Sequence, residues 1–161
     1  MSDTRTTHIS EIAGLLDQME ELLRETFEGA KPGEGTQYVD RNGGVRQTIA
    51  GLTAEQASRT RDGHPSIAAH IRHMAFHLRV SHEWIRGDHS KRDWIGSFKP
   101  FTVNDAEWEG LKQELERERR AFIDVMRGLS DAEVVENGAG MGTIAHLAYH
   151  LGAVRQLLHD A

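Results

Sequence analysis

Residues 66–87 read SIAAHIRHMAFHLRVSHEWIRG, and they carry the clearest helical pattern of the chain. Ser66 follows Pro65 and is of a type that caps helix N-termini, while Gly87 is of the type that ends helices. Apolar residues recur between them at intervals of three and four: Ile67, Ile71, Met74, Leu78 and Ile85. This spacing predicts an amphipathic helix over residues 66–86.

Three further segments show the same helical periodicity. They are residues 8–29, the segment that Asn104 and Glu107 open as a capping box, and the segment that follows Gly138. Between the first two long helices, Val45–Ala50 predicts a short helix and Thr53 can cap another turn. No segment resembles a strand. The fold class predicted is therefore all-α, a four-helix bundle with a long first connection.

Length and composition restrict the class of protein. The chain has 161 residues, which fits one domain over residues 1–161. The net charge of −6 argues against nucleic-acid binding, whose footprint is basic. No apolar run is long enough to span a membrane, and the polar N-terminus lacks a signal-peptide core. We therefore expect a cytoplasmic protein with no membrane partner. Cysteine is absent, so a metal site would need histidine, carboxylate or water.

Eight of the ten histidines lie in two segments, residues 64–89 and 146–150. His146 and His150 are four residues apart, which places their Cβ atoms roughly 6 Å apart on one side of a helix. Two imidazoles at this spacing can bind one metal ion. The alternative is a pair of partly buried histidines in the core.

His70, His73 and His77 project within one sector of the second long helix. Burying three imidazoles without partners is unfavourable, so a metal ion with supporting hydrogen bonds is one explanation. Hydrogen bonds to backbone, carboxylates or water are the alternative, and spacing does not rank the three residues. The remaining histidines of this region are predicted to be solvated: His64, His82 and His89.

Two better-known metal chemistries are excluded by the sequence. A zincin protease needs His-Glu-x-x-His, but the second position here is Leu147. A ferritin-like di-iron site needs Glu-x-x-His, and no histidine has Glu three residues before it. Three imidazoles around a divalent ion instead leave coordination positions open, as in catalytic zinc sites. The loop at 88–103, with Trp94, Phe98 and Phe101, is a candidate wall for a substrate pocket.

Two motifs resemble the DinB/YfiT-like family of metalloenzymes. One is Ser66-Ile67-Ala68-Ala69-His70-Ile71-Arg72-His73, and the other is His146-Leu147-Ala148-Tyr149-His150-Leu151-Gly152. The resemblance covers most of residues 43–159 and implies a four-helix bundle of the up-down-down-up type. It implies His73, His146 and His150 as ligands of one divalent ion per chain, nickel or zinc. The chain departs from the family in its longer first region and in Gln156, which lies further on than the family's Gln.

The function implied by the resemblance is a metal-dependent S-transferase acting on small electrophiles. Its co-substrate would be a low-molecular-weight thiol such as bacillithiol, mycothiol or glutathione, and the protein could form a homodimer. One alternative is a hydrolase using metal-bound water, with Glu83 or Asp88 as candidate bases. Others are a non-catalytic metal-binding stress-response protein and a bundle with no metal. The sequence names no catalytic residue.

Overall fold

The structure is a computed structural model that describes residues 4–40, 43–129, 133–134 and 138–159. The described residues are mostly helical and contain no strand, which confirms the all-α prediction. A 3₁₀ turn spans Gly96–Phe98. The α-helices of the described residues are α1 (Thr4–Glu28), α2 (Val45–Ile49), α3 (Ala54–Ala57), α4 (Ile67–Ile85), α5 (Asp105–Arg127) and α6 (Ala139–His159).

The helix ends follow the capping residues seen in the sequence. The Ser66 hydroxyl accepts a hydrogen bond from the backbone N–H of Ala69 and caps α4. Asn104 and Glu107 form a complete capping box at the start of α5. Gly87 has a φ of 97°, a left-handed conformation that L side chains rarely adopt, just beyond the end of α4. These ends were predicted because capping is local chemistry.

Ion pairs between helices show that α4 and α5 run in the same direction, because the residue numbers of both partners rise from one pair to the next. Arg79 pairs with Glu114 and His82 pairs with Glu118. In contrast, α1 and α5 are antiparallel, since the pairs Glu20–Arg127 and Glu28–Arg119 run in opposite order.

Helix α6 is antiparallel to α4. His73 meets His146, while Ser81, further along α4, meets Thr143, which comes earlier on α6. The four long helices therefore run up, down, down and up, as the resemblance implied. Because α4 and α5 are parallel, residues 86–104 must run back along the bundle to connect them. This return places Ser97 beside the middle of α4.

The core lies between the four long helices, each of which contributes one apolar side. Each large apolar side chain that is fully buried there stabilises the fold by roughly 1.5–3 kcal/mol, because it leaves water. Fully or almost fully buried members are Leu23, Phe27, Ile71, Met74, Leu78, Leu115, Phe122, Leu147 and Val154.

The connection from α1 to α4 is held by a buried carboxylate. Glu25 is 1% exposed and accepts the backbone N–H groups of Gln37, Tyr38 and Val39 at 2.7–2.8 Å. These three N–H donors stabilise the negative charge of Glu25, whose burial would otherwise be unfavourable. The described part of the long first connection contains α2 and α3.

None of the helices in the described ranges has the length and apolar character needed to cross a membrane.

Candidate metal centre

Five imidazoles lie between α4 and α6. His70, His73 and His77 come from α4, and His146 and His150 come from α6. One ligand nitrogen from each of His73, His146 and His150 lies within 4.8 Å of the others. The spacing in the sequence predicted the α6 pair, and the antiparallel packing of the two helices brings His73 to it.

The tautomer of His73 is determined by a short chain of hydrogen bonds. The Ser97 hydroxyl donates to the backbone carbonyl of Trp94 at 2.6 Å. Since its single proton is used there, the same oxygen must accept from Nδ1–H of His73, also at 2.6 Å. The neutral His73 ring therefore presents an unprotonated Nε2, which lies 3.0 Å from Nε2 of His146.

His70 and His77 each support one member of the α6 pair. Nδ1 of His70 lies 2.9 Å from Nδ1 of His150, so one of these two nitrogens carries the proton. The ring of His77 stacks on that of His146, with centroids 3.8 Å apart and an angle of 14°. Nδ1 of His77 is buried and has no hydrogen-bond partner in the described part of the chain.

Aromatic side chains from the connection between α4 and α5 cover the cluster. Phe98 stacks on His73 with centroids 3.9 Å apart and an angle of 9°. Trp94 packs against His73 and His77, and its ring centroid lies 6.3 Å from that of His73 and 5.6 Å from that of His77. Phe101 lies elsewhere: its carbonyl accepts the Ser66 hydroxyl, and its side chain borders a separate surface cavity with Lys99 and Pro100.

The surroundings keep these imidazoles neutral. Burial, followed by the neighbouring imidazoles, lowers the pKa of His73 to about 4. The same causes lower the pKa of His77 to about 3 and that of His150 to about 3. Burial also lowers the pKa values of His70 and His146. At neutral pH each of these imidazoles is therefore neutral and has one ring nitrogen with a free lone pair, which is the form that binds metals.

The residues present fit a divalent metal ion. Nitrogens bound to one zinc ion at about 2.0–2.1 Å lie roughly 3–4 Å from each other, close to the separations in the cluster. His73 also donates its other ring N–H to an oxygen, as metal-binding histidines commonly do. No hydrogen bond or ion pair in the described ranges joins the five imidazoles to a carboxylate. The donor set is thus neutral nitrogen.

One prediction about the histidines was wrong. His82 was expected to be solvated, but it is 7% exposed and its Nε2 lies 2.8 Å from the carboxylate of Glu118 on α5. Its partner comes from another helix and has no signal in the local sequence. His64 and His89 are exposed, as predicted.

The structure places both candidate bases beside one arginine. Glu83 and Asp88 both pair with Arg92. Glu83 is ten residues beyond His73 on α4, which corresponds to about 15 Å along the helix. Ser97 was not singled out by the sequence, because serine in a loop carries no spacing signal.

The fold and cluster define a four-helix bundle with a candidate three-histidine metal centre. The sequence profile of the DinB superfamily matches residues 15–154, and the chain belongs to that superfamily. No curated protein and no solved structure matches this chain.

Proposed function

We propose that the protein binds one divalent metal ion, nickel or zinc, through His73, His146 and His150. The observation that carries the proposal is the convergence of these three neutral imidazoles within 4.8 Å. The Ser97 contact adds to it, because it directs an unprotonated nitrogen of His73 toward His146. His70 and His77 would hold the α6 pair in place without binding the ion.

The activity proposed is transfer of a small electrophile onto a low-molecular-weight thiol. A bound divalent ion lowers the pKa of a thiol that it contacts, so that the thiolate is present at neutral pH. The sulfur would form a bond to the electrophilic carbon, the leaving group would depart with its bonding electrons, and the thiol proton would pass to solvent. The chain contains no cysteine, so the sulfur must come from the co-substrate.

Metal binding is tested by elemental analysis of protein purified without a His-tag or added metal. We expect about one ion per chain, and its identity distinguishes nickel from zinc. His146→Ala and His150→Ala should each reduce the metal content, because each removes one of three ligands. His64→Ala is the matched control, since His64 is exposed and lies outside the cluster. Full metal content in the His146→Ala,His150→Ala double variant would refute the site.

The reaction is tested by supplying a panel of thiols with a chromogenic electrophile, beside a parallel panel of esters and amides. Thiol-dependent turnover that disappears on chelation supports the transferase. Ester or amide hydrolysis without thiol would favour the hydrolase instead, although Glu83 and Asp88 are engaged by Arg92. Activity in neither panel, with metal bound, would indicate a non-catalytic metal protein.

A homodimer and a cytoplasmic location complete the proposal. Helix α6 has no Asp, Glu, Lys or Arg between residues 139 and 154, and its Met141 and Tyr149 are 56% and 72% exposed. An uncharged exposed helix face of this kind is suited to packing against a second copy. Light scattering at several protein concentrations measures the mass, and a monomer throughout would refute the dimer.

A further inference from the structure

A cavity of about 340 Å³ opens beside the histidine cluster, between α4 and α6. This volume is within the range of small-molecule sites. Two of the cluster's own imidazoles, His77 and His146, form part of its wall. His146 contacts His73 at its Nε2, so a molecule in the cavity would lie next to the candidate ligands.

The indole rings of two tryptophans form part of the cavity wall. Trp84 of α4 and Trp94 of the returning connection are 47% and 42% exposed, and both line it. Large half-exposed aromatic surfaces on a protein often mark binding sites, and indole rings favour flat, apolar partners. Trp94 is held in place by edge contact with Phe76, with ring centroids 5.3 Å apart.

The two hydroxyl groups of the wall donate their protons within the protein. Ser81 donates its hydroxyl proton to the backbone carbonyl of His77 at 2.8 Å. Thr143 donates its own to Ser81 at 2.9 Å. Both hydroxyl protons are thus used within the protein. The described lining contains no Asp, Glu, Lys or Arg.

A glycine of α6 forms part of the cavity wall. Gly142 lies within α6 and lines the cavity, and a Cβ added there would meet no atom within 4 Å. Glycine is less favourable than alanine inside a helix, so packing against the protein does not explain its presence. Any larger side chain at this position would extend into space that a ligand could use.

We propose that this cavity binds the electrophilic co-substrate as an uncharged molecule with a flat aromatic or similarly apolar group. This inference rests on the proposed function, because it assigns the electrophile to one side of the same centre. An anionic group would leave water for a described lining that has no Lys or Arg and whose two hydroxyl protons are already used, which is unfavourable. A thiol that carries carboxylates, such as glutathione, would therefore have to approach from elsewhere.

The test uses two fluorescent probes that share one ring system. Phenyl-naphthylamine is uncharged, and anilinonaphthalene sulfonate adds a single negative charge. Both accept energy from tryptophan, and Trp84 and Trp94 lie at the cavity, whereas Trp108 is buried with its N–H bonded to the Leu52 carbonyl. In the protein as purified, we expect one uncharged probe per chain, bound at least about tenfold more tightly than the sulfonate.

The deciding variants are Gly142→Leu and its matched control Gly152→Leu. Both positions are exposed glycines of α6 with open space around them, but Gly152 does not line the cavity. Gly142→Leu should lower the affinity for the uncharged probe by about tenfold or more, because the leucine fills the cavity. Gly152→Leu should bind the probe as tightly as the parent does. If Gly142→Leu fails to fold, Trp84→Ala replaces it and should likewise weaken binding.

The possible outcomes separate this inference from the proposed function. Equal binding in Gly142→Leu and the parent, or a preference for the sulfonate, would overturn the cavity assignment. Metal content is measured on the same samples. A metal-free protein whose probe binding still depends on Gly142 would refute the metal centre and leave the cavity assignment standing.

Discussion

Replacing Ser97 by alanine isolates the contribution of one hydrogen bond to the metal centre. Ser97 accepts Nδ1–H of His73 at 2.6 Å, and His73 is only 4% exposed, so water has little access to replace the lost oxygen. A buried donor left without a partner costs about 1–3 kcal/mol. We therefore expect the metal-free Ser97→Ala protein to lose stability by that amount.

The same change should weaken metal binding, because the ring of His73 loses the contact that sets its tautomer and orientation. Loss of such a supporting contact typically lowers metal affinity 10- to 100-fold, or about 1.4–2.7 kcal/mol. Competition with a chromophoric chelator measures the affinity, and urea unfolding of the metal-free protein measures the stability.

Ser90→Ala is the control for this experiment, since Ser90 is an exposed serine of the same connection and contacts Asp88 instead. It should leave both quantities unchanged. If Ser97→Ala folds and binds metal as tightly as the parent, His73 is not a ligand whose orientation depends on Ser97, and the reasoning fails.

Three other predictions concern stability. The metal-free protein should lose stability as the pH falls from 6.5 through about 4. The reason is that His73 takes up a proton near pH 6.5 in the unfolded chain, but only near pH 4 in the folded chain. Thermal melts across this pH range measure the loss of stability. Glu25→Gln should cost about 2–3 kcal/mol in urea unfolding, since three backbone N–H groups lose a charged acceptor, and an unchanged midpoint would contradict this. Gly44→Ala should destabilise by at least about 1–3 kcal/mol, because its Cβ would lie 2.4 Å from the backbone nitrogen of Gly29, whereas Gly51→Ala meets nothing and serves as the control.

The family assignment and the all-α fold were both accessible from the sequence, and the superfamily match and the helices confirm them. The helix ends at Ser66, Gly87 and Asn104 followed from side-chain and backbone chemistry within one turn. The proximity of His146 and His150 followed in the same way, because residues four apart on a helix are neighbours regardless of the rest of the fold.

The relationship between α4 and the rest of the site could not be derived from periodicity. His70, His73 and His77 share one sector of the helix, and only packing against α6 brings His73 to His146 while His70 meets His150. The buried pair of His82 with Glu118 was missed for the same reason, since the register of α4 against α5 decides it.

Local spacing thus determined which segments are helices, where they end and which two histidines of α6 lie side by side. The tertiary structure alone decided the position of His73, the contact from Ser97 and the indole-lined cavity. Spacing along a helix is set by its own geometry, whereas the rotation of one helix against another depends on the packing of the whole core. The path of a connection depends on the directions of the two helices that it joins, and here parallel α4 and α5 bring Ser97 to His73.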